Sequence, residues 1–153
     1  MATVGMVREI WRYPVKSMRG ESLPAVDVAW QGLAGDRRWA FIRDGTVRSG
    51  FPWLTLRERH DLWLYRPSFV DESRPDQSPM AVRNPAGATF DVADPELAAE
   101  LGPGVRVIKQ DRGVFDTLPL SLITTQTIAR LGAIVEAELA VERFRPNILI
   151  QAA

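Results

Sequence analysis

Apolar positions along the chain fall in short runs that are separated by turn-forming residues. Runs of four to eight apolar or alternating residues, bounded by Gly, Pro, Asn or Asp, are typical of β-strands. The predicted strands lie at residues 4–11, 23–28, 38–42, 62–65, 81–83, 105–109 and 148–150. The pattern therefore predicts a sheet-rich fold in which turns are frequent.

Two turns follow from local sequence. Asp44-Gly45 lies between the run at 38–42 and Val47 and predicts a tight hairpin, because Gly accepts the positive φ that such a turn requires. Residues 67–79 are polar and interrupted by proline, so this segment is expected to be a mobile loop.

Two short helices are predicted from their start signals. Asp94 can cap a helix that has Pro95 in its first turn and ends near Gly102. Thr124 or Thr125 can cap a second helix. Its predicted apolar stripe consists of Ile128, Leu131, Ile134 or Val135, and Leu139.

Composition supports the same picture. The 153 residues include 46% hydrophobic residues, 11 Gly and 11 Pro, which favours a mainly β (α+β) globular fold over a helix bundle. Nineteen basic and nineteen acidic residues cancel, so no net field attracts nucleic acid or anionic lipid, and any anion site must be local.

Several functional classes lack their required residues. The sequence has no Cys and only one His, His60, so disulfides, thiolate zinc sites, histidine metal clusters and cysteine nucleophiles are not expected. No glycine-rich phosphate loop is present. The sequence shows no secretory signal and no apolar run of membrane-spanning length, which predicts a cytoplasmic protein without membrane contact.

The candidate chemistry lies in two distant segments. Lys16 and Ser17 occupy a loop after Pro14, and 143–147 reads Arg-Phe-Arg-Pro-Asn before the last predicted strand. Guanidinium, ammonium and amide groups together suit a phosphorylated ligand. Alternation along an extended 143–147 segment would bury Phe144 and place both arginines on the opposite face.

Each feature also has a simpler interpretation. A Lys-Ser pair in a loop is ordinarily exposed, and the Asp36-Arg37 pair alone indicates a surface ion pair at a strand edge, of about 0–1 kcal/mol. His60 is interpreted as an exposed loop residue because no nucleophile motif accompanies it.

Four segments in a fixed order carry a resemblance to a known family. They are Trp11 to Gly20 (WRYPVKSMRG), Gly32 to Trp39 (GLAGDRRW), Pro119 to Thr124 (PLSLIT) and Arg143 to Ile148 (RFRPNI). Together they resemble the MOSC family, the molybdenum cofactor sulfurase C-terminal domain with its N-terminal β-barrel module. The likeness implies a barrel-like N-terminal module at 1–103 and the opening part of a MOSC barrel, with one or two short helices, at 104–153.

The resemblance also implies a ligand. Members of the family bind a molybdopterin-type molybdenum cofactor and use it in reduction of N-hydroxylated substrates or in sulfur handling. By resemblance, Lys16, Ser17 and Arg37 would meet the phosphate and pterin, and Arg145 and Asn147 would hold the cofactor from the other module. The family is also associated with pyridoxal phosphate, but nothing here indicates a Schiff-base lysine, and Lys16 is a poor candidate.

One departure from the family pattern matters for activity. In the family a cysteine beyond the Arg-Phe-Arg-Pro-Asn strand holds molybdenum, and this sequence has none. The chain is therefore expected to be a piece of a longer protein or a naturally short relative, and to be inactive alone.

Three hypotheses remain open at this level. The chain could belong to a cofactor-dependent oxidoreductase or sulfur-transfer protein, with an electron-donor protein as partner. It could be a non-catalytic module that binds a pterin phosphate. Alternatively, an open sheet edge at Ile150 could drive homo-oligomerisation.

Overall fold

The computed structural model describes residues 3–45 and 51–153, and over these residues the chain is mainly β. The strands are β1 (Gly5–Arg12), β2 (Glu21–Leu23), β3 (Val28–Ala29), β4 (Gly32–Leu33), β5 (Trp39–Arg43), β6 (Arg66–Phe69), β7 (Met80–Arg83), β8 (Thr89–Asp91), β9 (Val105–Lys109), β10 (Leu122–Thr124) and β11 (Ile148–Ala152). The helices are α1 (Pro95–Leu101) and α2 (Thr125–Val135), with short 3₁₀ helices at His60–Leu64 and Val141–Arg143.

The largest sheet joins the first and last strands of the described chain. Its order is β10-β11-β1-β2, with β11 antiparallel to β1 and parallel to β10. Glu9 pairs with Leu149 and Ile10 with Ile148, which places the loop after β1 beside the segment before β11. This pairing explains how two distant motifs meet.

The same pairing corrects the prediction of an open edge at Ile150. Strand β11 has a neighbour on each side, so its backbone groups already face two partners. The edge strands of this sheet are β10 and β2, so the expected unpaired edge at Ile150 was wrong, while homo-oligomerisation itself stays a prediction.

The remaining strands form three smaller sheets. These are the pairs β3-β4 and β5-β9 and the antiparallel sheet β6-β7-β8. The mainly β class with two helices is confirmed, but none of the sheets among residues 3–45 and 51–153 closes on itself into a barrel. Strand β9 from the predicted second unit pairs with β5, and the boundary at residue 103 stays a prediction.

An apolar core lies beneath the loop that follows β1. Val15 and Met18 are fully buried in it, together with Phe41, Leu62 and Leu97. Burial of a Val or Met side chain is worth about 1.5–3 kcal/mol, so these two residues anchor the loop from both sides. Lys16 and Ser17 lie between the two anchors.

Helix start signals were predicted correctly. The Asp94 carboxylate accepts a hydrogen bond of 2.8 Å from the Glu96 N–H at the start of α1. Thr124 caps α2 by accepting from the Thr127 N–H at 3.0 Å. However, α2 ends at Val135, so Leu139 lies outside it, and no residue of this helix is fully buried.

Two predicted strands were wrong. Residues 23–28 contain Pro24, which has no N–H to donate to a ladder, and they split between the end of β2 and the start of β3. Residues 62–65 overlap the 3₁₀ helix at His60–Leu64. The neighbouring strand β6 (Arg66–Phe69) includes residues 67–69, which were predicted to be part of a loop.

The Asp44-Gly45 turn is only partly visible. Gly45 has φ +85°, as the turn signal predicts, while Thr46 and Val47 lie outside the described residues. Strand β5 pairs with β9 and makes a bridge from Ile42 to Trp53. Among the described residues, no helix combines the length and apolar character needed to cross a membrane.

Candidate anion-binding site

The loop after β1 holds Lys16 and Ser17 in a tight turn. The Lys16 N–H donates to the Trp39 carbonyl at 2.8 Å, and the Met18 N–H donates to the Val15 carbonyl at 3.2 Å. Ser17 has φ +68°, a left-handed conformation that is rare for a residue with a side chain. The buried neighbours and these bonds fix where the two side chains lie.

Asp36 is fully buried and organises the second cationic segment. Its Oδ1 accepts from the Tyr13 N–H at 2.7 Å, and its Oδ2 accepts from Arg37 Nη1 and from Asn147 Nδ2, the latter at 3.1 Å. The interpretation as a surface ion pair at a strand edge was therefore wrong, because the carboxylate has no solvent exposure. A buried carboxylate needs such partners, since burying an unpaired charge is very costly.

Asn147 connects three parts of the chain through one fully buried amide. Its Nδ2 also donates to the Trp11 carbonyl at 3.2 Å, and its Oδ1 accepts from Arg37 Nη1 and from the Ser121 N–H, both at 3.1 Å. Both polar atoms of the amide are thus engaged within the protein. The residue positions Arg37 and the start of β11.

Arg145 lies in a left-handed turn with φ +50°, three positions before the first residue of β11. Its Nη1 donates to the Met18 carbonyl at 2.6 Å, and its own carbonyl accepts from Arg37 Nη2 at 3.0 Å. The predicted extended 143–147 segment was wrong, because residues 141–143 form a 3₁₀ helix and Arg143 is exposed.

The environment of Arg145 disfavours its charge. Burial, and then the nearby Arg37, lower the pKa of Arg145 to about 10, so the guanidinium still carries its charge at neutral pH. The Cζ atoms of Arg145 and Arg37 lie 4.3 Å and 4.8 Å from the Tyr13 ring centroid. Within the described residues, Arg145 Nη2 is buried and has no hydrogen-bond partner.

These groups line one cleft of about 700 Å³, which we call the cation cleft. Its lining includes all five residues singled out from the sequence: Lys16, Ser17, Arg37, Arg145 and Asn147. Among the lining residues that the structure describes, Arg57 and Arg143 add two further cations, against one carboxylate, that of Asp116. A chain with no net charge therefore concentrates positive charge at one place.

Asp116 forms an ion pair with the Lys16 ammonium. Lys16 Nζ donates to Asp116 Oδ1 at 2.5 Å and to the Val114 carbonyl at 3.5 Å. The Lys16 side chain is largely buried, whereas that of Asp116 is 60% exposed. The carboxylate lies where an incoming anion would compete for the same ammonium.

Several residues of the cleft and its wall, Arg57 among them, were not singled out from the sequence. Ser121 lies within the quoted 119–124 motif, and its hydroxyl donates to Asn147 Oδ1 at 3.3 Å. Tyr13 lies within the first motif, and its ring makes cation–π contacts with the guanidinium groups of Arg37 and Arg145. No sequence motif indicated Asp116, because a lone acidic residue in a loop does not show which cation it will pair with.

The donor set fits a phosphate. Lys16 supplies a compact charge, and the two guanidiniums supply planar donors, one of which has a buried N–H group without a partner. A metal-binding set does not appear: no group of three or more His, Cys, Asp or Glu suited to a metal ion occurs in residues 3–45 and 51–153.

Fold and site together define a class: a mainly β protein whose terminal strands assemble a cation-lined cleft. The model of the family described as the MOSC N-terminal beta barrel domain matches residues 4–110, and the chain belongs to this family. The resemblance noted in the sequence is thereby confirmed for this part of the chain. No curated protein matches the chain.

Proposed function

We propose that the cation cleft binds the phosphate of a molybdopterin-type cofactor, as part of a MOSC-type oxidoreductase or sulfur-carrier protein. The observation that carries this proposal is the convergence of Lys16, Arg37 and Arg145 on one cleft from segments more than a hundred residues apart. Family membership supports the choice of a pterin phosphate over other anions.

The residues have different roles in this proposal. Lys16, Ser17 and Arg145 contact the phosphate. The Arg37 guanidinium already donates hydrogen bonds to Asp36, Asn147 and the Arg145 carbonyl, and its remaining N–H groups donate to the phosphate. Asn147 acts by positioning, because its amide is already engaged inside the protein. The molybdenum of the cofactor would supply the redox or sulfur chemistry.

A second candidate function is non-catalytic binding of a pterin phosphate. The absence of cysteine from the sequence favours it, since a soft thiolate ligand for molybdenum has no source among these residues. Both functions use the same cleft. Molybdenum retained together with pterin would support the first, and pterin retained without metal would support the second.

Binding of a fluorescent pterin phosphate, the oxidised form of molybdopterin, tests the proposal. Each charge-assisted hydrogen bond to phosphate is worth about 1.5–3 kcal/mol, so Arg37→Ala or Arg145→Ala should weaken binding about 10- to 150-fold. Arg145→Lys keeps the charge without the planar donor geometry and should lose less.

The matched control is Lys109→Ala. Lys109 is an exposed cation on β9 that donates to the Asp76 carbonyl at 2.9 Å and does not line the cleft. Its replacement should leave the affinity within about twofold, as surface substitutions usually change little. Equal affinities for all folded variants, checked by circular dichroism, would refute the proposal.

A further inference from the structure

Strand β9 (Val105–Lys109) has a free edge. It pairs with β5 on one side, and within the described residues no strand lies on its other side. Backbone N–H and C=O groups at such an edge have no ladder partner, and proteins ordinarily protect it by shortening the strand or by placing proline in it. The edge of β9 is therefore a candidate interaction surface.

Neither form of protection is present in β9. The strand has five residues, without proline or glycine. The edge strands β2, β8 and β10 have three residues each, β3 and β4 have two, and β6 contains Pro67. Strand β5 is as long as β9, but bridges to Val15 and Trp53 occupy its outer side. Among the strands that the structure describes, β9 thus has the longest unprotected edge.

The hydrogen bonds of β5 show which backbone groups of β9 point outward. Phe41 lies opposite Val107, and the Phe41 carbonyl accepts from the Leu54 N–H on the other side of β5. Phe41 and Val107 are therefore a non-hydrogen-bonded pair, and the N–H and C=O of Val107 point away from β5. The same direction applies two residues away along the strand, to the backbone groups of Val105 and Lys109.

A groove of about 620 Å³ lies along this free edge. Residues 102–107 form one wall and residues of α1 and the turn before it form the other, while no residue of β5 lines the groove. The α1 wall consists of small apolar residues, among them the exposed Ala99. Apart from Arg106, the lining residues that the structure describes carry no charge. The groove has room for side chains of an added strand.

We propose that the β9 edge is a dimer interface, at which a second copy of this chain adds its own β9 in antiparallel orientation about a twofold axis at Val107. In that register the two Val107 residues exchange both N–H···O bonds, as opposite residues of a hydrogen-bonded antiparallel pair do. Each Lys109 N–H donates to the Val105 carbonyl of the other copy, while the Val105 N–H is already bonded to the Gly102 carbonyl at 3.3 Å. About four hydrogen bonds between the copies then satisfy the outward N–H groups.

The distribution of charge on β9 fits a second copy. In this register Arg106 lies opposite Ile108 and Lys109 opposite Val105, so no cation faces a cation, which would be destabilising. Both cations are also held within their own copy. Arg106 pairs with Asp44 at 3.4 Å, and the Lys109 ammonium donates to the Asp76 carbonyl at 2.9 Å. The same surface serves both copies, so the contact closes as a symmetric dimer.

The proposal is independent of the cation cleft, because no residue of β9 lines that cleft. Failure of phosphate binding therefore leaves the dimer interface standing, and the reverse also holds. The two proposals are tested by different measurements, ligand affinity for the cleft and association state for the β9 edge.

Sedimentation velocity of the full chain at increasing concentration tests the interface. The unmodified chain should dimerise reversibly. Ala99→Arg keeps a good helix former in α1 but fills the groove, so it should weaken dimerisation at least about tenfold. The matched control is Ala129→Arg, at an exposed position of α2 outside the groove, which should change dimerisation less than about twofold. A chain that stays monomeric, or equal effects of both substitutions, would overturn the proposal.

A cysteine cross-link tests the register. The sequence has no cysteine, so Val107→Cys introduces one thiol per chain. Opposite residues of a hydrogen-bonded antiparallel pair have Cα atoms about 5.5 Å apart, which a disulfide can span. Oxidised glutathione should therefore convert Val107→Cys into a covalent dimer, whereas Thr89→Cys, exposed on the edge strand β8, should stay largely monomeric. Absence of the Val107→Cys dimer, or equal cross-linking of both variants, would contradict the proposed pairing.

Discussion

Replacing Asn147 with alanine should destabilise the fold strongly, because one buried amide joins β1, the loop holding Asp36 and the segment before β11. Truncation removes the partners of the Trp11 carbonyl and the Ser121 N–H. Each buried polar group left without a hydrogen bond costs about 1–3 kcal/mol, but water can reach the N–H of the exposed Ser121. The free energy of unfolding should therefore fall by about 2–4 kcal/mol.

Equilibrium unfolding in urea, followed by tryptophan fluorescence, measures this loss. Asn84→Ala is the matched control, because Asn84 bonds to the Ala88 N–H and Glu100 in an exposed turn. It should cost under about 1 kcal/mol, as surface substitutions usually do. Asn147→Asp should be at least as damaging as the alanine variant, because it places a second carboxylate against Asp36.

Two outcomes would show that the Asn147 amide does not have this structural role. If the free energy of unfolding of Asn147→Ala lies within about 0.5 kcal/mol of that of the unmodified chain, the amide does not connect these segments as described. A loss in Asn84→Ala as large as that in Asn147→Ala would also contradict it, because burial would then not determine the cost.

Three further changes have defined outcomes. Asp116→Asn should raise phosphate affinity up to about fivefold in calorimetry, because it removes a competitor for Lys16 worth about 0–1 kcal/mol. Burial raises the pKa of Tyr13 to about 12 and also raises that of Tyr65, so absorbance titration of these two tyrosines should show no ionisation near pH 10. Since the unfolded chain releases these protons first, urea midpoints should fall as pH rises from about 10 towards 12; a constant midpoint contradicts the assignment. Gly20→Ala should destabilise the fold and weaken pterin binding, because its Cβ would lie 2.4 Å from Tyr13 Cε1; unchanged stability would contradict that contact.

The parts of the fold that sequence predicted were local. Helix starts at Asp94 and Thr124 depend on one side chain and one nearby N–H, so the cap residues alone indicate them. Strand β1 was equally visible as an apolar run. By contrast, the place of β11 between β10 and β1 depends on pairing across most of the chain, which a local pattern does not contain.

The candidate site shows the same division. The residue types of Lys16, Ser17 and Arg37 could be selected from motifs, and the structure brings them to one cleft with Arg145. Their conformations could not be predicted, because the left-handed turns at Ser17, Arg37 and Arg145 are held by tertiary hydrogen bonds. The buried state of Asp36 likewise follows only from partners that the fold supplies.

The decisive measurement for phosphate binding in the cation cleft is a crystal structure of the chain with the oxidised pterin phosphate bound. We expect phosphate oxygens within about 3 Å of Lys16 Nζ and of the Arg145 guanidinium, with Asp116 displaced from the ammonium. A phosphate bound away from these two residues, with the Lys16–Asp116 pair intact, would contradict it.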